Sequence, residues 1–456
     1  MDDLKQLEEH LNSFDPAVRR EALARLLEDH ADALRPEGSN VNMHFHSFFS
    51  FNAEGWSPSR IVWESRKAGL YAAGLCDFDV LDGLEEFYGA GRAAGLRTLV
   101  SLETRVYMKP YAEVDVSSPG EPGVTYIMGA GFARVPEKGS APFQGLEGFR
   151  KGVRDRNMAL VRKINARIPR IAVDYEKDVL PLTPAGGATE RHIVRAYTTQ
   201  AAKVCGNQTE TAKFWAEILG QPLNKAEALL DDLPALEEAV RARLVKKGGL
   251  GYEQPSENTF PPLDDFIRWV RSCDAIPMIT WLDGTTAGEK DGRALLEFMK
   301  SRGCAALNII PDRNWNIADP QKREVNRANL RQIVQVADDM GLPINVGTEM
   351  NKLGLPFVDD LDGEVLKNYR ATFLRGARIM VGHCALLQYA GFSYAGEKAA
   401  AEFRTVHAKN DFFEAVGALE PITDGQAQKL EAMGPEKAYA WFQDAVKRRS
   451  TGSTKT

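Results

Sequence analysis

Two stretches of the chain alternate short apolar segments with amphipathic ones, and this alternation limits the fold more than any other feature. Between residue 40 and about 106, "NVNMHF" reads as a strand and "SPSRIVWESRKAGL" as a helix with Ser57 as its cap and Pro58 in the first turn. "YAAGLCDF" follows as a strand, "LDGLEEFYGAGRAAG" as a helix and "LRTLVSLETRV" as a strand. From 262 the pattern resumes: helix "LDDFIRWVRSCD", strand "AIPMITW", helix "GRALLEFMKSRG", strand "CAALNII", helix "VNRANLRQIVQVADDMG" and strand "LPINVGT". Strands separated by helices of this length pair in parallel, in a sheet that is open or closed.

The intervening chain breaks the pattern. Residues 107–143 are rich in Pro and Gly with one expected strand, "VTYIMGA", and residues 144–250 are charged and mostly helical, as in "LEGFRKGVRDRNMALVRKINARI". A single barrel interrupted once accounts for both blocks more simply than two separate sheets. The expected organisation is an N-terminal helical extension over 1–36, a first barrel part over 37–143, a helical insertion over 144–250, a second barrel part over 251–360 and a mostly helical C-terminal extension over 361–456. Within the first of these, two helices meet at "NSFDPAVRR", where Ser13 or Asp15 caps the second, and at the other end the tail "RRSTGSTKT" is expected to fray. Because the insertion leaves after one strand end and returns before the next element, it is expected to lie over the barrel mouth and to favour a small substrate over a polymer.

Composition sets outer bounds. At 44% hydrophobic and 26% charged residues the chain is that of a globular protein with a large core. Its net charge of −6 supplies no basic field for nucleic acid or an anionic membrane. No apolar run approaches membrane-spanning length and no charged-then-apolar leader opens the chain, so a cytoplasmic location is expected. The five cysteines are scattered without a CxxC, which fits free thiols in a reducing compartment. The expected partner is a small-molecule substrate, with no nucleic acid and no membrane, and a homo-oligomer is left open.

In parallel α/β folds functional groups collect at the C-terminal ends of strands. Those ends here carry His44 and His46, Asp77, Glu103, Trp281, Asn308, and Glu349 with Asn351. His-x-His on a strand projects both rings to one side, and imidazole with carboxylate suits Zn, Mn or Fe. Such a pair taken alone is more often packed than ligating; the coincidence of several such groups at strand ends points to a divalent metal. His383, in the apolar run "RIMVGHCALL", reads as a buried core histidine, with a late strand reaching the site as the alternative. "GAGFARV" and "PAGGATE" lack the Walker spacing and the Rossmann glycines after a strand, and read as loops.

These blocks, in order, resemble the PHP (polymerase and histidinol phosphatase) metal-dependent phosphoesterases. "HFHSFFS" is similar to the family's opening HxHSxxS, "AGLYAAGLCDFDVLDGLEEF" to its TDHDTxDGLEEF block, and "LVSLETRV" to its strand ending in a ligand Glu. "RDRNMALVRKINARIPRIAVDYEKDV" with "ERHIVRAY" resembles the helical insertion of one subgroup, and "LPINVGTEMN" stands where the family has Gly-Ser-Asp-x-His. The resemblance spans about 40–351 and implies a distorted (β/α)7 TIM-like barrel with up to three metals at the strand ends. One implied site falls on His44, His46, Glu103 and Glu349, all able to bind. A second would need Phe51 or Asn52, Phe78 and Asn351, a poor cation site that is expected to be missing. A third shares Glu103, has Trp281 in place of one histidine and could take His192 as another ligand. One or two ions of Mn, Fe or Zn are therefore expected.

The activity this implies is metal-assisted hydrolysis of a small organic phosphate. Asp77 would ligate the metal or orient a ligand or the attacking water, His192 would assist, and Arg191 would neutralise the phosphoryl oxygens. Arg154 and Arg156 are the next candidates for substrate contact, Arg105 is comparable, and Trp281 and Asn351 would line the pocket. Two other functions stay open: an inactive PHP-like binder of small molecules, and a single-metal lyase or amidohydrolase acting on a carbonyl.

Overall fold

The computed structural model describes residues 2–452. Seven strands form one sheet in chain order: β1 (Val41–Phe45), β2 (Ala72–Phe78), β3 (Arg97–Tyr107), β4 (Val124–Ala130), β5 (Ile276–Trp281), β6 (Ala306–Ile309) and β7 (Ile344–Val346). Beyond β7 the chain meets β1 again. Glu349 N donates to His44 O at 2.8 Å, and His46 N donates to Glu349 O at 2.9 Å. This bridge between Phe45 and Glu349 curls the sheet into a nearly closed barrel. It also holds Glu349 at φ +65°, a left-handed conformation that a non-glycine residue adopts only when its surroundings impose it.

The expected parallel sheet needs one correction: β4 runs antiparallel to both β3 and β5. A parallel return requires a crossover element, usually a helix. The only helix between β3 and β4 is the single turn Lys109–Tyr111, so the chain doubles back instead. β4 therefore ends at the base of the barrel, where Ala130 pairs with Ile276 at the start of β5. The insertion therefore leaves from the base and returns at the mouth, where Tyr107 at the end of β3 donates its N–H to Pro261 O at 2.9 Å.

One long helix carries it upward. Ala141–Arg167 has 27 residues, about 40 Å at 1.5 Å per residue. Its first turn is fixed low on the barrel wall, where Trp269 Nε1 donates to Pro142 O at 2.8 Å. Its last turns join a second apolar core built around Ile164, Tyr197, Trp215 and Val240, separate from the barrel core. That core unites the helices Glu190–Cys205, Gln208–Leu219 and Leu233–Leu244.

The local signals read from the sequence have physical counterparts. Ser57 accepts from Arg60 N at the start of the helix Pro58–Ala68, and Asp15, not Ser13, caps Pro16–Asp29 by accepting from Ala17 N. The N-terminal helices are tied to the barrel wall through Arg19 on Glu86 and through Glu8 on Trp63 and Lys67.

"RIMVGHCALL" is not a strand. It lies in the helix Arg370–Ala390, which packs on β1, β3 and β7 and on the helices Val406–Gly417 and Pro435–Gly452. Cover on most sides explains a helix that is apolar nearly all round. His383 in its middle is fully buried, with Nε2 on Gly131 O at 3.0 Å and Nδ1 accepting from Tyr394 N at 3.1 Å. The expected frayed tail is helical up to Gly452, and its last four positions lie outside the described residues. No helix among the described residues is long and apolar enough to cross a membrane.

Candidate metal centre

Strand register decides which strand-end residues face the barrel interior. Glu103 pairs with Phe78 across β2 and β3, and Thr280 pairs with Asn308 across β5 and β6. Side chains alternate faces along a strand, so Asp77 beside Phe78 and Trp281 beside Thr280 point outward. The expectation that Trp281 lines the pocket changes accordingly, and so does that of Asp77 as a direct ligand, though not as a residue that orients one. Trp281 is fully buried away from the cavity, while Thr280 and Leu282 line it. Asp77 accepts from Ser47 N, Ser47 Oγ and Ser50 Oγ, each at 2.7 Å, and offers no oxygen to the interior. Burial lifts its carboxyl to about 6, partly countered by those hydrogen bonds.

His44, His46 and Glu103 do converge. Their donor atoms lie within 4.8 Å of one another, the one such group of three or more His, Cys, Asp or Glu among the described residues. Glu103 Oε2 is 3.4 Å from His44 Nε2 and 3.6 Å from His46 Nε2. All three atoms are buried and none has a hydrogen-bond partner. Four-coordinate Zn with bonds near 2.1 Å spaces its ligand atoms by roughly 3.4 Å, so the spacing and the orphaned atoms both fit a cation. Burial and the neighbouring charges of His44 and Arg191 hold His46 well below the usual imidazole range. Burial also opposes charge on His44, but Glu103 outweighs it and His44 is raised.

Glu349 and His192 do not join the trio. Glu349 Oε2 faces Arg313 Nη2 and Asn351 Nδ2, each at 3.3 Å. His192 Nδ1 accepts from Thr189 N at 3.1 Å in a capping box, and its ring meets Phe51 edge-on at 5.3 Å. Phe78 stacks on His46 at 4.3 Å between centroids. Asn52 is spent on the turn, donating to His46 O and accepting from Glu54 N and Trp56 N.

A cavity of about 770 Å³ lies above the trio and reaches it through Glu103. Its walls come from the strand ends and from the insertion, and they carry Arg105, Arg156, Arg191, Arg241, Arg313 and Lys246. Arg191 sits over the Phe51 ring at 5.4 Å, 3.4 Å from Glu238. Arg156 sits over Phe260 at 4.7 Å and donates to Thr259 O. Arg154 instead pairs with Glu176 on the exposed surface, outside this cavity. Asn351 lines the cavity beside Glu349.

Sequence reasoning missed Arg313 and Ser50. Arg313 follows the end of β6 by four residues, a position the strand-end rule could have found. Ser50 closes the block "HFHSFFS", but the motif by itself gave it no role.

No family model and no curated protein matches the chain. Among solved structures it is similar to an amidohydrolase from Chromobacterium violaceum with bound sulfate and no metal, at 16% identity and a TM-score of 0.46 over 73% of this chain and 96% of that one. It is also similar to a protein from Bifidobacterium adolescentis provisionally described as a metal-dependent phosphoesterase, at 17% identity and a TM-score of 0.45 over 74% and 98%. At scores this low neither similarity bears on the chain's fold or function.

Proposed function

We propose that this chain is a metal-dependent hydrolase of the PHP type, built on a distorted (β/α)7 TIM-like barrel, that cleaves a small organic phosphate. The observation that carries the reading is the trio of buried donor atoms on His44, His46 and Glu103, left without partners beneath a basic cavity. Buried polar atoms without partners cost about 1–3 kcal/mol each, and a cluster of them aimed at one point needs a reason. These three residues would hold one ion of Zn, Mn or Fe. Such an ion supplies Lewis acidity and lowers the pKa of water in contact with it.

The chain's own groups do the rest. Arg313 extends over the strand ends towards Glu349 and Glu103, placed to meet phosphoryl oxygens, and Arg191 and Arg156 line the same cavity from the insertion. Guanidinium groups suit this role because they offer paired N–H donors to tetrahedral anions. Residues of the insertion form part of the cavity wall, which in this reading favours a small substrate over a polymer.

Elemental analysis of the purified protein beside a His44→Ala/Glu103→Ala variant tests this directly. About one divalent ion per chain, lost in the variant, with phosphate released from p-nitrophenyl phosphate or another small monoester, is the expected result. No ion even after reconstitution would sink the reading and favour a non-catalytic binder. Metal with turnover only on amides or other carbonyl substrates would instead favour the amidohydrolase or lyase chemistry.

A further inference from the structure

Two residues outside the donor trio, Asp77 and Ser50, complete an arrangement whose geometry the sequence did not disclose. Ser50, His46 and Asp77 are all essentially without solvent contact, at 0%, 0% and 1% exposure, so each polar atom among them must be satisfied locally. Asp77 Oδ1 receives Ser47 N–H and Ser50 Oγ, and Oδ2 receives Ser47 Oγ, all at 2.7 Å. Ser50 Oγ also lies 3.3 Å from His46 Nδ1. A hydroxyl has a single proton. With that proton given to the carboxylate, Ser50 can only accept from the imidazole, so Nδ1 must carry a hydrogen. Nε2 then keeps its lone pair, aimed at Glu103 and His44.

We infer that Asp77 and Ser50 are positioning residues that fix His46 as the Nδ1–H tautomer and so present Nε2 as a ready metal donor. Metal-bound histidines generally depend on such a partner at the other ring nitrogen. The ring is held in orientation as well. Phe78 stacks on it at 19° between planes, Asn52 Nδ2 donates to His46 O at 2.8 Å, and Glu349 O accepts from His46 N at 2.9 Å. His44 has no counterpart, since both of its ring nitrogens lack a partner. The two histidines are therefore unequal: one is preset and the other adapts. Asp77, facing away from the interior, acts through two intermediaries and touches no substrate. The metal part of this inference rests on the hydrolase reading above; the tautomer part does not.

The test uses the full-length protein with ¹⁵N-labelled histidine rings, first without metal. The resonances of His46 are identified by their loss in His46→Gln. In the wild type they should report Nδ1–H with a bare Nε2. Ser50→Ala should shift them to the other tautomer or to a mixture, and Ser50→Thr, which keeps the hydroxyl, should restore them. In Asp77→Ala the oxygen that takes the serine proton is gone, which frees that proton for His46 Nδ1 and should invert the tautomer. A merely structural contact would not produce that inversion. Zn or Mn affinity, read by competition with a chromophoric chelator, should fall about 10- to 100-fold in Ser50→Ala and recover in Ser50→Thr. An Nε2–H signal in the wild type, or one tautomer throughout the series, would overturn the inference. A wild type that binds no ion yet shows the full tautomer series would uphold the device and sink the metal reading; undiminished metal binding by Ser50→Ala with unmoved resonances would do the reverse.

Discussion

Glu103→Gln separates a metal site from a structural ion pair, because the two make opposite predictions in the metal-free protein. Glu103 is 1% exposed and its Oε2 faces His44 Nε2 and His46 Nε2 without a hydrogen bond to either. If the trio exists to hold an ion, the ion-free protein carries a buried carboxylate and two imidazoles in an uncomfortable arrangement. Replacing a buried ion pair by apolar residues of similar volume is often neutral or stabilises by roughly 1–4 kcal/mol, and removing a buried charge that has no partner should act in the same direction. The Gln amide can moreover donate to a ring nitrogen that now has nothing. A gain of about 2 kcal/mol is expected.

If instead His44 and Glu103 form a structural pair, breaking it leaves an uncompensated buried group and costs about 3–5 kcal/mol. Unfolding entropy of about 2.1 cal/mol/K per residue makes 1 kcal/mol worth roughly 1 °C in a cooperative chain of this length. The expected metal-free shift is therefore about +2 °C for the variant, read by calorimetry in a chelator. Metal at 100 times its Kd should then raise the wild type by about 2.7 kcal/mol, or near 3 °C, and leave the variant unmoved. The order of the two proteins thus reverses on adding metal. A variant that melts several degrees below the wild type in chelator would refute the vacant-site reasoning.

Two further outcomes follow from the same geometry. Arg313→Met removes a half-exposed guanidinium above Glu349 and should lower kcat/KM for a phosphate monoester about 10- to 100-fold, the worth of one or two charge-assisted hydrogen bonds; unchanged steady-state kinetics would remove Arg313 from the site. Acid should destabilise the fold through His383 and His192, whose burial lowers them to about 4 and about 3 from 6.5. Their folded values lie below the unfolded one, so the unfolded chain binds more protons and stability falls as pH drops below about 6.5. Each costs about 2.5 kcal/mol near pH 4.5, and His383→Gln should flatten the dependence measured by urea unfolding at a series of pH values.

The elements were legible where local chemistry dominates. Alternating apolar runs located all seven strands, and the cap at Ser57 followed from its hydroxyl and the proline after it. His44, His46 and Glu103 could be named because three strand ends offered ligand chemistry at once. What failed depended on non-local information. The direction of β4 is set by a connection too poor in helix to cross over, and the turn of Glu349 away from the trio by its bridge to β1 and its pair with Arg313. Asp77 and Trp281 were assigned to the interior because a sequence marks where a strand ends but not which face its last residue occupies. An offset of one position inverts the answer. The apolar run around His383 was ambiguous in kind, since a helix covered on most sides and a buried strand share the same composition.

The surroundings of the trio also bear on why the proposed site takes one ion, where the sequence left one or two open. Each position that could have extended the site is committed elsewhere. Phe78 fills the space beside His46 with a stacked ring, and Phe51 lies beneath Arg191 and Arg195 while touching His192. Asn52 is used up within its turn, and Asn351 donates to Glu349. These groups are connected to one another rather than left over. Phe78 orients the same imidazole that Ser50 and Asp77 preset, and Phe51 supports the arginine that lines the cavity. Aromatic rings here replace charged ligands with stacking and cation–π contact, each worth about 0.5–2 kcal/mol. They spare the barrel further buried carboxylates that would need an ion to be tolerated. Under the proposed function, metal chemistry would rest on one pair of histidines and one glutamate, and the arginines above them would handle the substrate's charge.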